Sequence, residues 1–134
     1  MNCYLITTCS KEKDPSPGVL PAIERYQSER IAFVYQESQR LGMQMLILSG
    51  KFGLIQPTDE IPWYDHALQM AEVQAMVPPV VNVLEKNAVD QILFYARPLE
   101  TPGWAPYYAV IEEACKQLEI DLQLCHWEDN QSTD

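Results

Sequence analysis

Four short apolar segments alternate with segments of helical periodicity, and this alternation constrains the fold more than any other feature of the chain. The first segment, CYLITTC, is rich in apolar and β-branched residues, as in a strand that is buried on both faces. The four predicted strands lie at 3–9, 43–49, 91–97 and 121–127. Strands that alternate with helices pair in parallel through right-handed crossovers. The sequence therefore predicts a three-layer α/β/α sandwich with a four-stranded, mostly parallel sheet.

Capping residues and prolines set the expected helix limits. Ser28 can cap a helix that runs to Leu41, and Gly42 can end that helix. The other predicted helices lie at about 66–76, at about 79–87 and from Pro106 onward. Pro78 and Pro79 are expected to separate the first two of these, because proline removes a backbone donor and disrupts a helix interior.

The length and the charge of the chain exclude several classes of protein. The 134 residues suffice for a single domain at 1–128, followed by a polar C-terminal tail at 129–134. No run reaches the roughly 18 apolar residues of a membrane span, and the N-terminus does not resemble a signal peptide, so we expect a cytoplasmic protein with no membrane partner. The net charge of −10 argues against a broad nucleic-acid surface, although it permits a small basic pocket.

Metal and cofactor motifs are not found in the sequence. The four cysteines and two histidines do not have the spacing of a metal site. The segment SGKFG at 49–53 resembles part of a phosphate-binding loop, but it lacks the full Walker spacing, and no G-x-G-x-x-G occurs. We therefore expect no metal and no cofactor.

Polar and glycine-rich loops follow three of the four predicted strands. They contain CSKEK at 9–13, SGKFGLIQP at 49–57 with PWYD at 62–65, and PLETPGWAP at 98–106. Ligands of open α/β sheets bind beyond the carboxyl ends of the strands. These loops are therefore expected to meet at one rim and to form a ligand pocket.

The first loop offers a thiol, a hydroxyl and an ammonium group. Cys9 could be a nucleophile, and Lys11 would favour its thiolate; alternatively, Cys9 packs inward at the end of its strand. Ser10 could bind a ligand or cap a turn. Lys11 could hold a phosphate or carboxylate, or it could be a solvated lysine.

The second loop offers groups that suit an anion. Ser49 and Lys51 lie on the expected rim, and Gly53 permits a ligand to approach the backbone closely.

The segment PWYD places two aromatic rings beside a carboxylate. Trp63 and Tyr64 could stack on a flat base, and Asp65 could accept a proton as a general base. Equally, Trp63 could pack on the sheet and Asp65 could cap the next helix.

Four segments together resemble the DUF6884 family of small bacterial and phage proteins. They are CSKEK, RYQSERIAF at 25–33, LSGKFGLIQP at 48–57 and PWYDHAL at 62–68. The family pattern of Cys-Ser-x-x-Lys and Tyr-x-Ser adds Tyr26 and Ser28 to the pocket and leaves the choice between Lys11 and Lys13 open. From the residues alone, Ser28 is better explained as a helix cap than as a ligand contact, although a helix N-terminus is itself an anion site.

The layout is more distantly similar to the DUF5591 core of archaeosine synthase and to the YaaA family. These relatives imply a pocket for a modified purine or a nucleic-acid component. The family named first has no established activity, so the resemblance implies a fold and a pocket but no reaction. The sequence departs from the family pattern in SGKFG, where alanine is usual, and at Trp63, which is inserted into Pro-Tyr-Asp.

Three functions remain open at this stage. The first is an enzyme that acts on a nucleobase or nucleotide, with Asp65 as the acid/base group and Cys9 as the nucleophile. In this reading Lys11 and Lys51 hold an anion and Tyr64 stacks on the base. The second is a non-catalytic module that senses a nucleotide within a larger complex. The third is an interaction protein whose rim is simply polar, with its oligomeric state left open.

Overall fold

A five-stranded sheet forms the centre of the computed structural model, which describes residues 2–128. The strands of the chain are β1 Cys3–Thr8, β2 Val19–Pro21, β3 Gln44–Ser49, β4 Gly53–Ile55, β5 Glu60–Pro62, β6 Gln91–Ala96 and β7 Asp121–His126. The order across the central sheet is β4-β3-β1-β6-β7. Strands β3, β1, β6 and β7 are parallel neighbours, and β4 is antiparallel to β3.

Helices pack against both faces of this sheet. They are α1 Ala22–Arg25, α2 Glu29–Leu41, α3 Val73–Lys86 and α4 Ala105–Leu118. Leu5 of β1 belongs to the core beneath α2, whereas the next residue, Ile6, belongs to the core beneath α3 and α4. Successive side chains of a strand point to opposite faces, so the helices form two separate layers. The three-layer α/β/α prediction is confirmed.

The segment at 50–65, predicted as one long loop, contains two short strands. Strand β4 adds a fifth, antiparallel strand at the edge of the predicted four-stranded sheet. Strand β5 pairs with β2 in a separate antiparallel ribbon. Gly53 has a φ of 75°, which allows the chain to reverse direction tightly before β4.

The break predicted at Pro78 and Pro79 is wrong, and so is the helix predicted at about 66–76. A single helix, α3, runs through both prolines, and it is preceded by one 3₁₀ turn at Met70–Glu72. The two prolines leave the carbonyls of Gln74 and Ala75 without an intrahelical donor. All four residues are exposed, so water can bond to these carbonyls and the helix continues.

The limits of α2 agree with the prediction. The Oγ atom of Ser28 accepts a hydrogen bond from the backbone N–H of Ile31 at 3.1 Å, as an N-cap does. Gly42 ends the helix with a φ of 66°.

Two further expectations concern the ends of the chain and the membrane. The predicted tail at 129–134 lies outside the described residues. Within residues 2–128, every helix is too short or too polar to cross a membrane.

Candidate ligand-binding cleft

A cavity of about 430 Å³ opens at the carboxyl ends of β1 and β6. We call it the basic cleft; it is lined by residues 8–11, 65–67 and 102–104, with Lys13, Arg30 and Tyr107. Strand β1 connects through α2 to β3 on one side, while β6 connects through α4 to β7 on the other. The cleft therefore lies at the point where the strand order reverses, which is where open α/β sheets bind ligands.

Cys9 lies in the wall of the basic cleft and is half-buried. Its Sγ atom is 3.5 Å from the phenol oxygen of Tyr107. That oxygen accepts a hydrogen bond from the backbone N–H of Leu68 at 3.0 Å, so the phenol proton is free to point toward the sulfur. Burial and the nearby Cys9 raise the pKa of Tyr107, and its phenol stays protonated at neutral pH.

Lys13 holds its ammonium group over two aromatic rings beside the cleft. Its Nζ atom lies 4.5 Å from the ring centre of Tyr64 and 5.9 Å from that of Tyr26. Burial lowers the pKa of Lys13, although the nearby Cys9 and Asp65 oppose this shift. The sequence left the choice between Lys11 and Lys13 open, and the structure places both on the cleft.

Arg30 is a cleft residue that the sequence reasoning missed. Its side chain is 1% exposed and donates to the Thr7 hydroxyl and, at 2.9 Å, to the Thr8 carbonyl. The guanidinium carbon lies 4.9 Å from the ring centre of Trp104. Arg30 precedes the buried Ile31 and is one helical turn before the buried Val34, so a charged residue on an apolar helix face was the available signal.

A sealed set of hydroxyls lies beside the cleft, and we call it the tyrosine–serine network: Tyr26, Ser49 and Tyr64. The phenol oxygens of the two tyrosines are 2.5 Å apart, and the Ser49 Oγ is 2.9 Å from that of Tyr64. The Ser49 Oγ also accepts from the backbone N–H groups of Lys51 and Phe52, so its own proton points toward Tyr64. Burial raises the pKa of both phenols. All three residues were predicted to contact ligand, but at most 4% of each is exposed.

A second cavity of about 850 Å³ adjoins the basic cleft. We call it the apolar groove. It is lined by residues 50–53, 63–66 and Leu68, by the 3₁₀ turn at Met70–Glu72, and by the first half of α3. The predicted ligand residues Lys51 and Gly53 lie here rather than in the basic cleft. The sequence predicted one pocket at one rim of the sheet, whereas the structure has two neighbouring cavities there. Asp65 and His66 line both of them.

The other predicted site residues have simpler surroundings. Ser10 lines the basic cleft but is buried, and it donates to the Glu12 carbonyl at 2.8 Å, as a turn cap does. Lys11 and Asp65 are exposed. Ser28 caps α2 and does not line either cavity.

Gly50 fixes the segment between the two cavities. A Cβ atom at this position would lie 2.7 Å from the Leu68 backbone nitrogen and 2.8 Å from the Tyr107 phenol oxygen. It would also lie 2.9 Å from the His66 carbonyl oxygen, so only glycine allows residues 66–68 to approach the end of β3 this closely.

Metal-binding geometry is not found in residues 2–128, where no three His, Cys, Asp or Glu side chains cluster. His66, which lines both cavities, instead pairs with Glu72 at 3.0 Å. Cys115 is a core thiol, and burial raises its pKa to about 11.

The fold and the cleft define a small α/β domain with a basic pocket at the switch point of its sheet. The family of unknown function DUF6884 matches residues 3–124, and the chain belongs to this family. The resemblance seen in the four sequence segments is thereby confirmed, whereas the more distant similarities to DUF5591 and YaaA stay predictions. No curated protein and no solved structure matches the chain.

Proposed function

We propose that the basic cleft binds a small anionic molecule of the nucleobase or nucleotide class, through a phosphate or equivalent anionic group at Lys11 and Lys13. The observation that carries this proposal is the charge of the cleft. Lys11, Lys13 and Arg30 line one cavity in a chain of net charge −10, and among residues 2–128 Asp65 is the one carboxylate in that lining.

The placement of the basic groups supports an anion site. A cleft lined by one sign of charge and enclosed by low-dielectric walls concentrates the field and attracts the opposite charge. Arg30 is fixed by backbone carbonyls and by Trp104, so it supplies charge without reaching into the cleft. Lys11 and Lys13 are then the groups that donate hydrogen bonds to the ligand.

Lys13 is suited to this role by its surroundings. Its lowered pKa reflects an ammonium group that is partly withdrawn from water. A bound phosphate would place a negative charge beside the Lys13 ammonium group. It would also accept charge-assisted hydrogen bonds from that group, which are stronger than hydrogen bonds between neutral groups.

Calorimetric titration with a nucleoside monophosphate tests the proposal. Lys13→Gln should weaken binding about tenfold or more, since a hydrogen bond to a charged group contributes about 1.5–3 kcal/mol. The control is Lys116→Gln, an exposed lysine in the last turn of α4, which should leave the affinity unchanged. Absence of binding by the wild-type chain at millimolar nucleotide, or equal affinity of both variants and wild type, would contradict the proposal.

A catalytic form of this function rests on Cys9 and Asp65, which line the same cleft. In a base-processing or nucleic-acid-modifying enzyme that cleaves a glycosidic bond, the Cys9 sulfur would bond to the sugar C1′ as the C1′–N bond breaks, and Asp65 would pass the thiol proton to the leaving base nitrogen. Water would then hydrolyse the sulfur–sugar bond and return a proton to the sulfur, with the Tyr107 phenol donating a hydrogen bond to that sulfur. Loss of product formation in Cys9→Ala and Asp65→Asn, with nucleotide affinity retained, would support this form. Saturable binding by wild type without any product would instead favour a sensing module.

A further inference from the structure

The apolar groove differs from the basic cleft in chemistry and shares part of its lining. The apolar side chains that line the groove include Trp63, Phe52, Leu68 and Met76. The Lys51 Nζ atom lies 5.5 Å from the ring centre of Phe52. Asp65 and His66 line both cavities, so the two cavities adjoin, and a ligand that occupied both would pass over these two residues.

Trp63 is the most exposed aromatic side chain of the groove, at 53%. Within residues 2–128 its indole makes no contact with another aromatic ring, whereas Phe52 is held against Tyr64 with ring centres 5.1 Å apart. Exposed aromatic surface beside a cavity is characteristic of binding sites, because water solvates it poorly. Trp63 therefore offers a ring face that a flat ligand can cover.

Met76 completes the groove on the side of α3. Its Sδ atom would be 3.6 Å from a Cβ atom at Gly53, so the sulfur lies close to the start of β4. A polarizable thioether beside aromatic rings adapts to planar heterocycles.

We propose that the apolar groove is the ring subsite of the ligand, so that the chain binds a mononucleotide with its base on Trp63 and its phosphate at Lys11 and Lys13. This inference rests on the proposed function of the basic cleft. The sugar then lies at Asp65, whose carboxylate can accept hydrogen bonds from ribose hydroxyls. Lys51 donates to an acceptor atom on the edge of the base.

A matrix of probes and variants tests the assignment. The probes are a purine nucleoside monophosphate, the matching nucleoside, ribose 5-phosphate and inorganic phosphate, each titrated by calorimetry. The variants are Trp63→Ala and Lys13→Gln. The control is Leu124→Ala, which removes an exposed apolar side chain from β7, at the opposite edge of the sheet.

The two subsites should respond separately. Trp63→Ala should weaken the nucleotide and the nucleoside about tenfold, in line with stacking on one aromatic side chain, and should leave ribose 5-phosphate within about twofold. Lys13→Gln should weaken all phosphate-bearing probes and should spare the nucleoside. Leu124→Ala should change none of them.

The possible failures are distinguishable. If phosphate and ribose 5-phosphate bind through Lys13 but the base adds no affinity, the ring subsite is wrong and the proposed anion site stands. If Trp63→Ala leaves all four probes unchanged while the groove captures an apolar peptide, the groove is a protein-docking site. If no probe binds to wild type, both proposals are wrong.

Discussion

The tyrosine–serine network and the basic cleft lie side by side and both contain polar side chains, yet they differ in exposure. Tyr26, Ser49 and Tyr64 bond to one another and to the backbone, and they are buried. Lys11 and Asp65 of the cleft are exposed. The first region is a fixed wall, and the second is a surface that a ligand can reach.

Neighbours in sequence divide between the two kinds of environment. Buried Ser10 precedes exposed Lys11, and buried Tyr64 precedes exposed Asp65. In each pair the buried hydroxyl is held by a hydrogen bond to a fixed partner, while the next residue carries a charge into a cavity. The wall should therefore determine stability and the cleft should determine affinity.

The largest expected effect comes from Gly50→Ala, which acts on both regions at once. The new Cβ atom would force the Leu68 backbone and the Tyr107 phenol away from the end of β3. We expect the free energy of unfolding to fall by about 2–3 kcal/mol, as for overpacking of a well-filled core. Nucleotide affinity should fall as well, because residues 65–67 line the cleft.

Urea unfolding measures this effect, and Gly42→Asn is its control. Gly42 has a φ of 66°, which asparagine tolerates, and no atom would lie within 4 Å of its Cβ. Equal stability of Gly50→Ala and the control would show that residues 66–68 are not held by close packing at Gly50.

Ser49→Ala should affect the wall alone. It leaves the backbone N–H groups of Lys51 and Phe52, and the phenol of Tyr64, without their shared partner. We expect a loss of about 2 kcal/mol in the free energy of unfolding, since buried polar groups without partners cost about 1–3 kcal/mol. The exposed Ser16→Ala is the control. Nucleotide affinity should stay within about threefold of wild type; a larger loss of affinity than of stability would make Ser49 a ligand contact.

Lys13 should make the cleft sensitive to alkaline pH. Because burial lowers its pKa, Lys13 loses its positive charge at a lower pH than an ordinary lysine does. Phosphate affinity should therefore fall, by about tenfold in all, as the pH rises through this lowered pKa. Arginine stays charged throughout this range, so the affinity of Lys13→Arg should fall less than that of wild type, with Lys11 as the remaining titratable phosphate ligand. Calorimetry at increasing alkaline pH measures this effect, and an equal decline in both proteins would show that Lys13 does not cause the pH dependence.

Ser28→Ala should have the smallest effect. Loss of the N-cap of α2 should lower the free energy of unfolding by about 1 kcal/mol. Because Ser28 lines neither cavity, nucleotide affinity should remain unchanged. If Ser28→Ala bound the nucleotide more weakly while its thermal stability was unchanged, Ser28 would be a ligand contact and not a helix cap.

The layers and the four parallel strands could be predicted from sequence because alternating apolar segments specify them locally. Strand β4 could not, since three residues carry too little pattern to separate a strand from a loop. Helix α3 could not be predicted from proline propensity alone, because its continuity depends on the exposure of Pro78 and Pro79 to solvent.

The site was predictable in location but not in detail. Strand ends indicated the loops that line the cavities, whereas the burial of Ser49 and Tyr64 depends on a hydrogen bond across 15 positions of the chain. Arg30 and Tyr107 line the cleft from helices α2 and α4, where the helical pattern predicts burial but does not indicate which buried side chains border a cavity.

A crystal structure determined with a bound nucleoside monophosphate tests the central claim most directly. The account predicts the phosphate within hydrogen-bonding distance of Lys13 in the basic cleft, with the tyrosine–serine network unchanged. A nucleotide bound elsewhere on the chain, or a phosphate in the apolar groove, would contradict it.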